Sequence, residues 1–123
     1  MNNNTYTVGS MFAGIGGICL GFKQAGFEIV WANEKDAAAC RTYRHNFGDK
    51  YLVEANIKKV DKQTIPQFDI LTAGFPCQPF SVAGPHKGFE DARGNLFFQI
   101  IEVAKIAQPK IIFLENVANL IDH

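Results

Sequence analysis

The chain has 123 residues, enough for one small domain, and a 47% hydrophobic content with 11 Phe supplies a packed core and excludes a disordered tract. Twelve Lys and Arg balance twelve Asp and Glu, which excludes a strongly basic nucleic-acid module. No apolar run approaches the roughly 20 residues of a membrane span, and Met1 to Thr5 lacks the charged start and apolar core of a signal peptide.

Taken in chain order, residues 6–12 predict a first strand and 17–25 a helix. Residues 28–32 predict a second strand. Residues 36–47 predict a helix, with Ala37, Cys40, Tyr43 and Phe47 near helical spacing. A short third strand is expected over 51–54 and a fourth over 69–73. Leu96, Ile100, Val103, Ala104 and Ala107 share one face of a later helix, which Asn95 is placed to cap. Ile111-Ile112-Phe113-Leu114 predicts a fifth strand, buried on both faces. Near-continuous apolar strands alternating with helices predict an α/β fold, a doubly wound and mostly parallel sheet. Residues 74–94 are too long and too rich in Gly, Pro and charge for a simple connection, and predict a functional loop. A fifth strand with no helix after it would leave apolar surface and an unpaired sheet edge. The expectation is a domain incomplete at its C-terminus, completed by another chain or belonging to something longer.

Three cysteines, Cys19, Cys40 and Cys77, stand at wide spacing with no Cys-x-x-Cys pair and no neighbouring histidine cluster. No zinc site is expected, and a reduced, cytoplasmic protein is the simple reading. Cys19 and Cys40 fall in helical stretches and read as packing residues. Cys77 differs. In Gly74-Phe75-Pro76-Cys77-Gln78-Pro79-Phe80-Ser81 it follows a buried strand and is flanked by prolines that fix the backbone and stop a helix from starting. That setting suits a reactive thiol at the mouth of the fold.

Phe12-Ala13-Gly14-Ile15-Gly16-Gly17 joins the first strand to the first helix, where glycines permit a sharp turn and close approach of a ligand. Cys19 stands where the dinucleotide fingerprint has its third glycine. Glu34 follows the second strand about twenty residues on, where a carboxylate can accept from both ribose hydroxyls. Together these favour an adenosine-containing cofactor, either a nicotinamide dinucleotide or S-adenosylmethionine, and the short loop tilts the balance to the latter. Glu115, at the carboxyl end of the fifth strand, would neighbour Cys77 in the crevice of a doubly wound sheet. A nucleophile beside a carboxyl group is a catalytic arrangement.

The glycine loop, Glu34, the Gly74 to Ser81 motif and Glu115-Asn116-Val117 occur in the order and rough spacing of the cytosine carbon-5 DNA methyltransferases, and the chain resembles the bacterial restriction-modification members most. Lys87-Gly88-Phe89-Glu90-Asp91-Ala92-Arg93-Gly94-Asn95 resembles that family's mobile catalytic loop. The resemblance implies a Rossmann-like S-adenosylmethionine-dependent methyltransferase fold. It implies that Cys77 attacks carbon 6 of a flipped cytosine, making carbon 5 enamine-like and open to methylation. Glu115 would hydrogen-bond ring nitrogen 3 and the exocyclic amine. Pro76 would offer its carbonyl to that amine at the border of the cofactor, with Gln78, Ser81, Arg93 and Asn116 near the DNA. Phe12, Ala13, Gly14, Gly16 and Gly17 would border the cofactor, Glu34 its ribose, and Asn56-Ile57 its adenine. Asn56 stands where the family commonly has Asp, and Ser10 where it often has an acid.

Residues 1–123 would then form the amino-terminal part of a catalytic, cofactor-binding domain lacking its target-recognition region. DNA and a complementary C-terminal chain or segment are the implied partners, with no membrane. By itself the chain is expected to bind DNA poorly and methylate little or nothing. Two other readings stand beside this one: a transfer RNA cytosine-5 methyltransferase, and a non-catalytic cofactor-binding or assembly module.

Overall fold

A computed structural model describes residues 5–74 and 94–115, the side chains of Gly94 and Asn95 excepted. Runs of β-branched and other apolar residues form five strands: β1 (Thr7–Met11), β2 (Glu28–Glu34), β3 (Leu52–Glu54), β4 (Ile70–Ala73) and β5 (Ile111–Leu114). Helices α1 (Gly17–Gln24), α2 (Ala37–Phe47) and α3 (Gly94–Ala107) lie between them, with single-turn 3₁₀ helices at Ile57–Lys59 and Lys62–Thr64. The start of α2 is set locally: Asp36 Oδ2 accepts the Ala39 N–H at 2.8 Å. It ends at Gly48, whose φ of 84° an L side chain rarely adopts.

The strands form one sheet in the order β3-β2-β1-β4-β5, every pair parallel. Alternate side chains feed two cores. Met11, Trp31, Phe68 and Leu71 pack with Ile100, Val103 and Ala107 of α3 on one face. Cys19 of α1 and Cys40 and Tyr43 of α2 pack with Ala32 and Leu52 on the other. Helices therefore cover both faces, as expected of a doubly wound fold. The winding reverses between β1 and β4, which opens a crevice at the carboxyl ends of those strands.

Three sequence expectations change. Strand β2 runs on to Glu34, because Asn33 and Glu34 pair in register with Val53 and Glu54 of β3. Asn95 lies inside α3, which begins at Gly94, and does not precede it as a cap. Strand β5 is exposed, not buried: Ile111, Ile112, Phe113 and Leu114 are 57, 46, 44 and 45% accessible. Apolar composition records a side chain's preference, but burial needs a neighbour. Among the described residues β5 pairs with β4 alone, and Phe22 of α1 meets Phe113 edge-on at 5.7 Å.

Candidate cofactor crevice

The loop from β1 to α1 turns within five residues by placing Phe12, Gly14 and Gly16 at φ of 55°, 61° and 104°. Phe12 is an unusual occupant of that region. Gly16 has no alternative, since a Cβ there would also run into the Phe47 ring. The loop is anchored by the Ala13 N–H on the Asn33 carbonyl at 3.0 Å. Gly16 caps α1 without a side-chain bond, and no acid stands in the first turn. Among the described residues no side chain caps these first-turn N–H groups, and the positive end of the helix suits a polar ligand. A Cβ at Gly14 or at Gly17 would meet nothing within 4 Å among the described residues.

Glu34 closes this loop from the neighbouring strand. Its Oε1 accepts the Gly14 N–H and its Oε2 the Asp36 N–H, both at 2.9 Å. A carboxylate has about four acceptor sites, so each oxygen keeps capacity for a hydroxyl. Asn56 follows the end of β3, its Oδ1 accepting the Lys58 N–H at 2.9 Å. Ile57 is buried in the core cluster that contains Trp31 and Ile65.

Glu115 extends the β4–β5 ladder by donating its N–H to the Ala73 carbonyl at 3.0 Å. Its side chain is exposed, and Oε1 would stand 3.1 Å from a Cβ on Gly74, with Ile18 Cδ1 of α1 3.3 Å from the same point. The missing side chain at Gly74 thus leaves room that the Glu115 carboxylate and the tip of the Ile18 side chain border. The fold brings together Phe12, Ala13, Gly14, Gly16, Gly17 and Glu34, and sets Glu115 beside Gly74 on the same rim. Pro76, Cys77, Gln78, Ser81, Arg93 and Asn116 lie outside the described residues.

Cys19 and Cys40 are buried, as expected of packing residues. Burial pushes both thiols up, Cys40 further through Glu54 and Glu34, so neither has the depressed pKa of an activated nucleophile. Cys19 Sγ accepts from the Tyr43 hydroxyl at 3.3 Å. Ser10, which stands where an acid was expected, is buried and accepts from Thr72 Oγ1 at 2.9 Å. Sequence reasoning passed over Asn33, whose only signal was an amide among apolar strand residues.

A parallel sheet in this order, with a glycine turn after β1 and a carboxylate at the end of β2, defines a Rossmann-like domain with a crevice of the nucleotide-binding kind. Comparison with known proteins narrows this. The family model for C-5 cytosine-specific DNA methylase matches residues 6–123, and the chain belongs to that family. Type II methyltransferase M.Bsp6I of Bacillus sp. (strain RFL6) is 50% identical over 118 residues, covering 94% of this chain and 37% of the relative. Type II methyltransferase M.HhaI of Haemophilus parahaemolyticus is 49% identical over 113 residues, covering 92% and 34%. Among solved structures, a putative DNA modification methyltransferase encoded within a prophage of E. coli superposes with a TM-score of 0.75 at 28% identity, covering 92% of this chain and 32% of that one. A Spodoptera frugiperda DNMT2 mutant gives 0.70 at 28%, covering 97% and 38%. The chain spans about a third of the length of the curated relatives it matches. No helix among the described residues is long and apolar enough to cross a membrane.

Proposed function

We propose that this chain carries the cofactor crevice and the catalytic pair of an enzyme that methylates carbon 5 of cytosine in DNA. The observation that carries the reading is the Glu34 carboxylate fixed on the Gly14 N–H beside the uncapped start of α1. This is a ready-made seat for a ribose and the polar atoms next to it. The residues present fit S-adenosylmethionine: among the described residues there is open space over Gly14 and Gly17, no side-chain cap on the start of α1, and a carboxylate with acceptor capacity left. When bound, that cofactor supplies an electrophilic methyl group. Glu34 would hold its ribose, the Phe12 to Gly17 loop its flanks, and Asn56 the adenine amine through its carbonyl.

Cys77 and Glu115 are the proposed chemical residues. Cys77 follows Gly74 by three residues, and three residues of extended chain reach about 11 Å at most. Gly74 abuts Glu115, so the nucleophile is tethered near the carboxyl group that would hold ring nitrogen 3 and the exocyclic amine. Attack by the Cys77 thiolate on carbon 6 would make carbon 5 nucleophilic; once carbon 5 carried the methyl group, loss of its proton and departure of the thiolate from carbon 6 would restore the ring. Pro76, Gln78, Ser81, Arg93 and Asn116 are the proposed base and DNA contacts, with the base flipped from its duplex. The kinship with type II methyltransferases and a DNA modification methyltransferase favours DNA over transfer RNA as substrate. A complementary C-terminal polypeptide, covering the exposed face of β5, is the proposed partner for full activity.

The test uses the chain supplemented with the carboxyl-terminal two thirds of a relative. A 5-fluorocytosine duplex and S-adenosylmethionine should give a covalent adduct that disappears in Cys77→Ser. An adduct or methylation that persists undiminished in Cys77→Ser overturns the assignment.

A further inference from the structure

We infer that Asn33 is the positioning residue that sets the width of the cofactor crevice, an inference that rests on the adenosine-cofactor reading above. Asn33 is 2% exposed at the carboxyl end of β2. Its amide nitrogen donates twice across to the neighbouring strand, to the Val53 carbonyl at 2.8 Å and the Ala55 carbonyl at 3.0 Å. Its own backbone carbonyl accepts the Ala13 N–H at 3.0 Å. The next residue, Glu34, accepts the Ala55 N–H on its carbonyl at 3.0 Å and the Gly14 N–H on its carboxylate.

These bonds converge. Ala55 is held from both sides, its carbonyl by the Asn33 amide and its N–H by the Glu34 carbonyl. The chain then leaves directly into Asn56, the proposed adenine contact. On the opposite side the same Asn33 suspends the glycine loop from β2. One residue therefore ties the two walls of the crevice to the strand that carries the ribose carboxylate. The chemistry is specific to an amide: a single nitrogen must give two hydrogens to two carbonyls. Aspartate would set a negative oxygen against those carbonyls, and alanine would leave two buried acceptors unpaired. Asn33 touches no reacting atom and acts through the positions of Ala13, Glu34 and Asn56.

The experiment titrates the full chain calorimetrically with S-adenosylhomocysteine, comparing wild type with Asn33→Ala, Asn33→Asp and the core variant Ile65→Ala, which lies outside the crevice. Titrations run at low temperature, with circular dichroism confirming a native fold. Hydrogen exchange at the Ala13 and Ala55 amides is followed in parallel. The expected result is a loss of tenfold or more in affinity for both Asn33 variants, with faster exchange at those two amides, and a change under twofold for Ile65→Ala at a comparable loss of thermal stability. If wild type binds and the Asn33 variants bind equally well, or if Ile65→Ala loses as much affinity as they do, the positioning role is wrong. If wild type itself does not bind, the crevice reading falls and this inference with it. Should both variants fail to fold, exchange of the Asn33 side-chain amide protons, which the Val53 and Ala55 carbonyls accept, is followed in wild type alone. Side-chain exchange as fast as that of an exposed asparagine would overturn the clamp.

Discussion

Glu34 and Gly14, twenty positions apart in sequence, are joined by one hydrogen bond of 2.9 Å from the glycine N–H to the carboxylate. The bond fixes a charged group against a backbone that has no side chain to hold it. Bonds to a charged acceptor contribute about 1.5–3 kcal/mol, so losing the carboxylate should weaken both the loop and its ligand. Glu34→Ala is expected to lower affinity for S-adenosylhomocysteine by about 10- to 100-fold. In Glu34→Gln the amide would face the Asp36 N–H or the Gly14 N–H with a donor, and a similar loss is expected. Calorimetric titration checks both. Affinity within twofold of wild type in either variant would remove Glu34 from the crevice.

Two adjacent glycines should respond in opposite ways. Gly16 has a φ of 104° and a Phe47 ring where its Cβ would go, so Gly16→Ala should cost about 2 kcal/mol or more in urea denaturation. Gly17 begins α1 with open space around it among the described residues. Gly17→Ala should leave stability unchanged or raise it by a few tenths to about 1 kcal/mol. On the proposed cofactor reading, the new methyl group at this turn should reduce cofactor affinity. A variant that gains stability while losing ligand separates packing from function; Gly17→Ala binding as tightly as wild type would mean the ligand does not approach this turn.

What the sequence made legible was what depends on local chemistry. Apolar runs marked the five strands, Asp36 its helix start, and the spacing from the glycine loop to Glu34 a shared crevice. What escaped it depends on neighbours. Ile111 to Leu114 look buried because their side chains are apolar, yet the sheet ends there among the described residues. Asn33 and Glu34 lie beyond the expected strand 28–32 and neither favours a strand, but pairing with Val53 and Glu54 extends β2 over them. The two-carbonyl bond of Asn33 involves residues twenty and more positions away, and no periodicity signals it.

Asp69 offers a test by pH. Its carboxylate accepts the Thr7 N–H at 2.8 Å and the Thr7 hydroxyl at 3.2 Å, and Lys110 approaches to 3.7 Å. The Thr7 backbone bond, then its hydroxyl and Lys110, outweigh burial and hold the carboxyl below its ordinary value. A depressed carboxylate binds protons less readily folded than unfolded. Its contribution is fully present above the ordinary value near 4 and fades as pH falls through the lower folded value. Asp69→Asn should therefore lose about 1 kcal/mol at pH 7 and converge on wild type as pH falls through the lowered folded value. Unfolding midpoints measured from pH 7 to pH 2.5 check this, and a constant gap across that range would show that charge is not involved.

The exposed fifth strand leads to a prediction about the chain taken by itself. Strand β5 presents four consecutive apolar side chains, and its outer backbone groups have no strand partner among the described residues. Such an edge is a template for pairing with another chain. The 123-residue chain is therefore expected to self-associate as concentration rises, seen as a growing weight-average mass in sedimentation equilibrium. Ile111 is the most exposed of the four, at 57%, so Ile111→Lys should leave stability within about 0.5 kcal/mol of wild type while reducing the association strongly, because a charge on an edge opposes pairing. The proposed C-terminal polypeptide should have the same effect on mass by covering the strand. Association undiminished by Ile111→Lys would place the sticky surface elsewhere, on the outer face of α3, where Phe98 and Ile101 are also exposed.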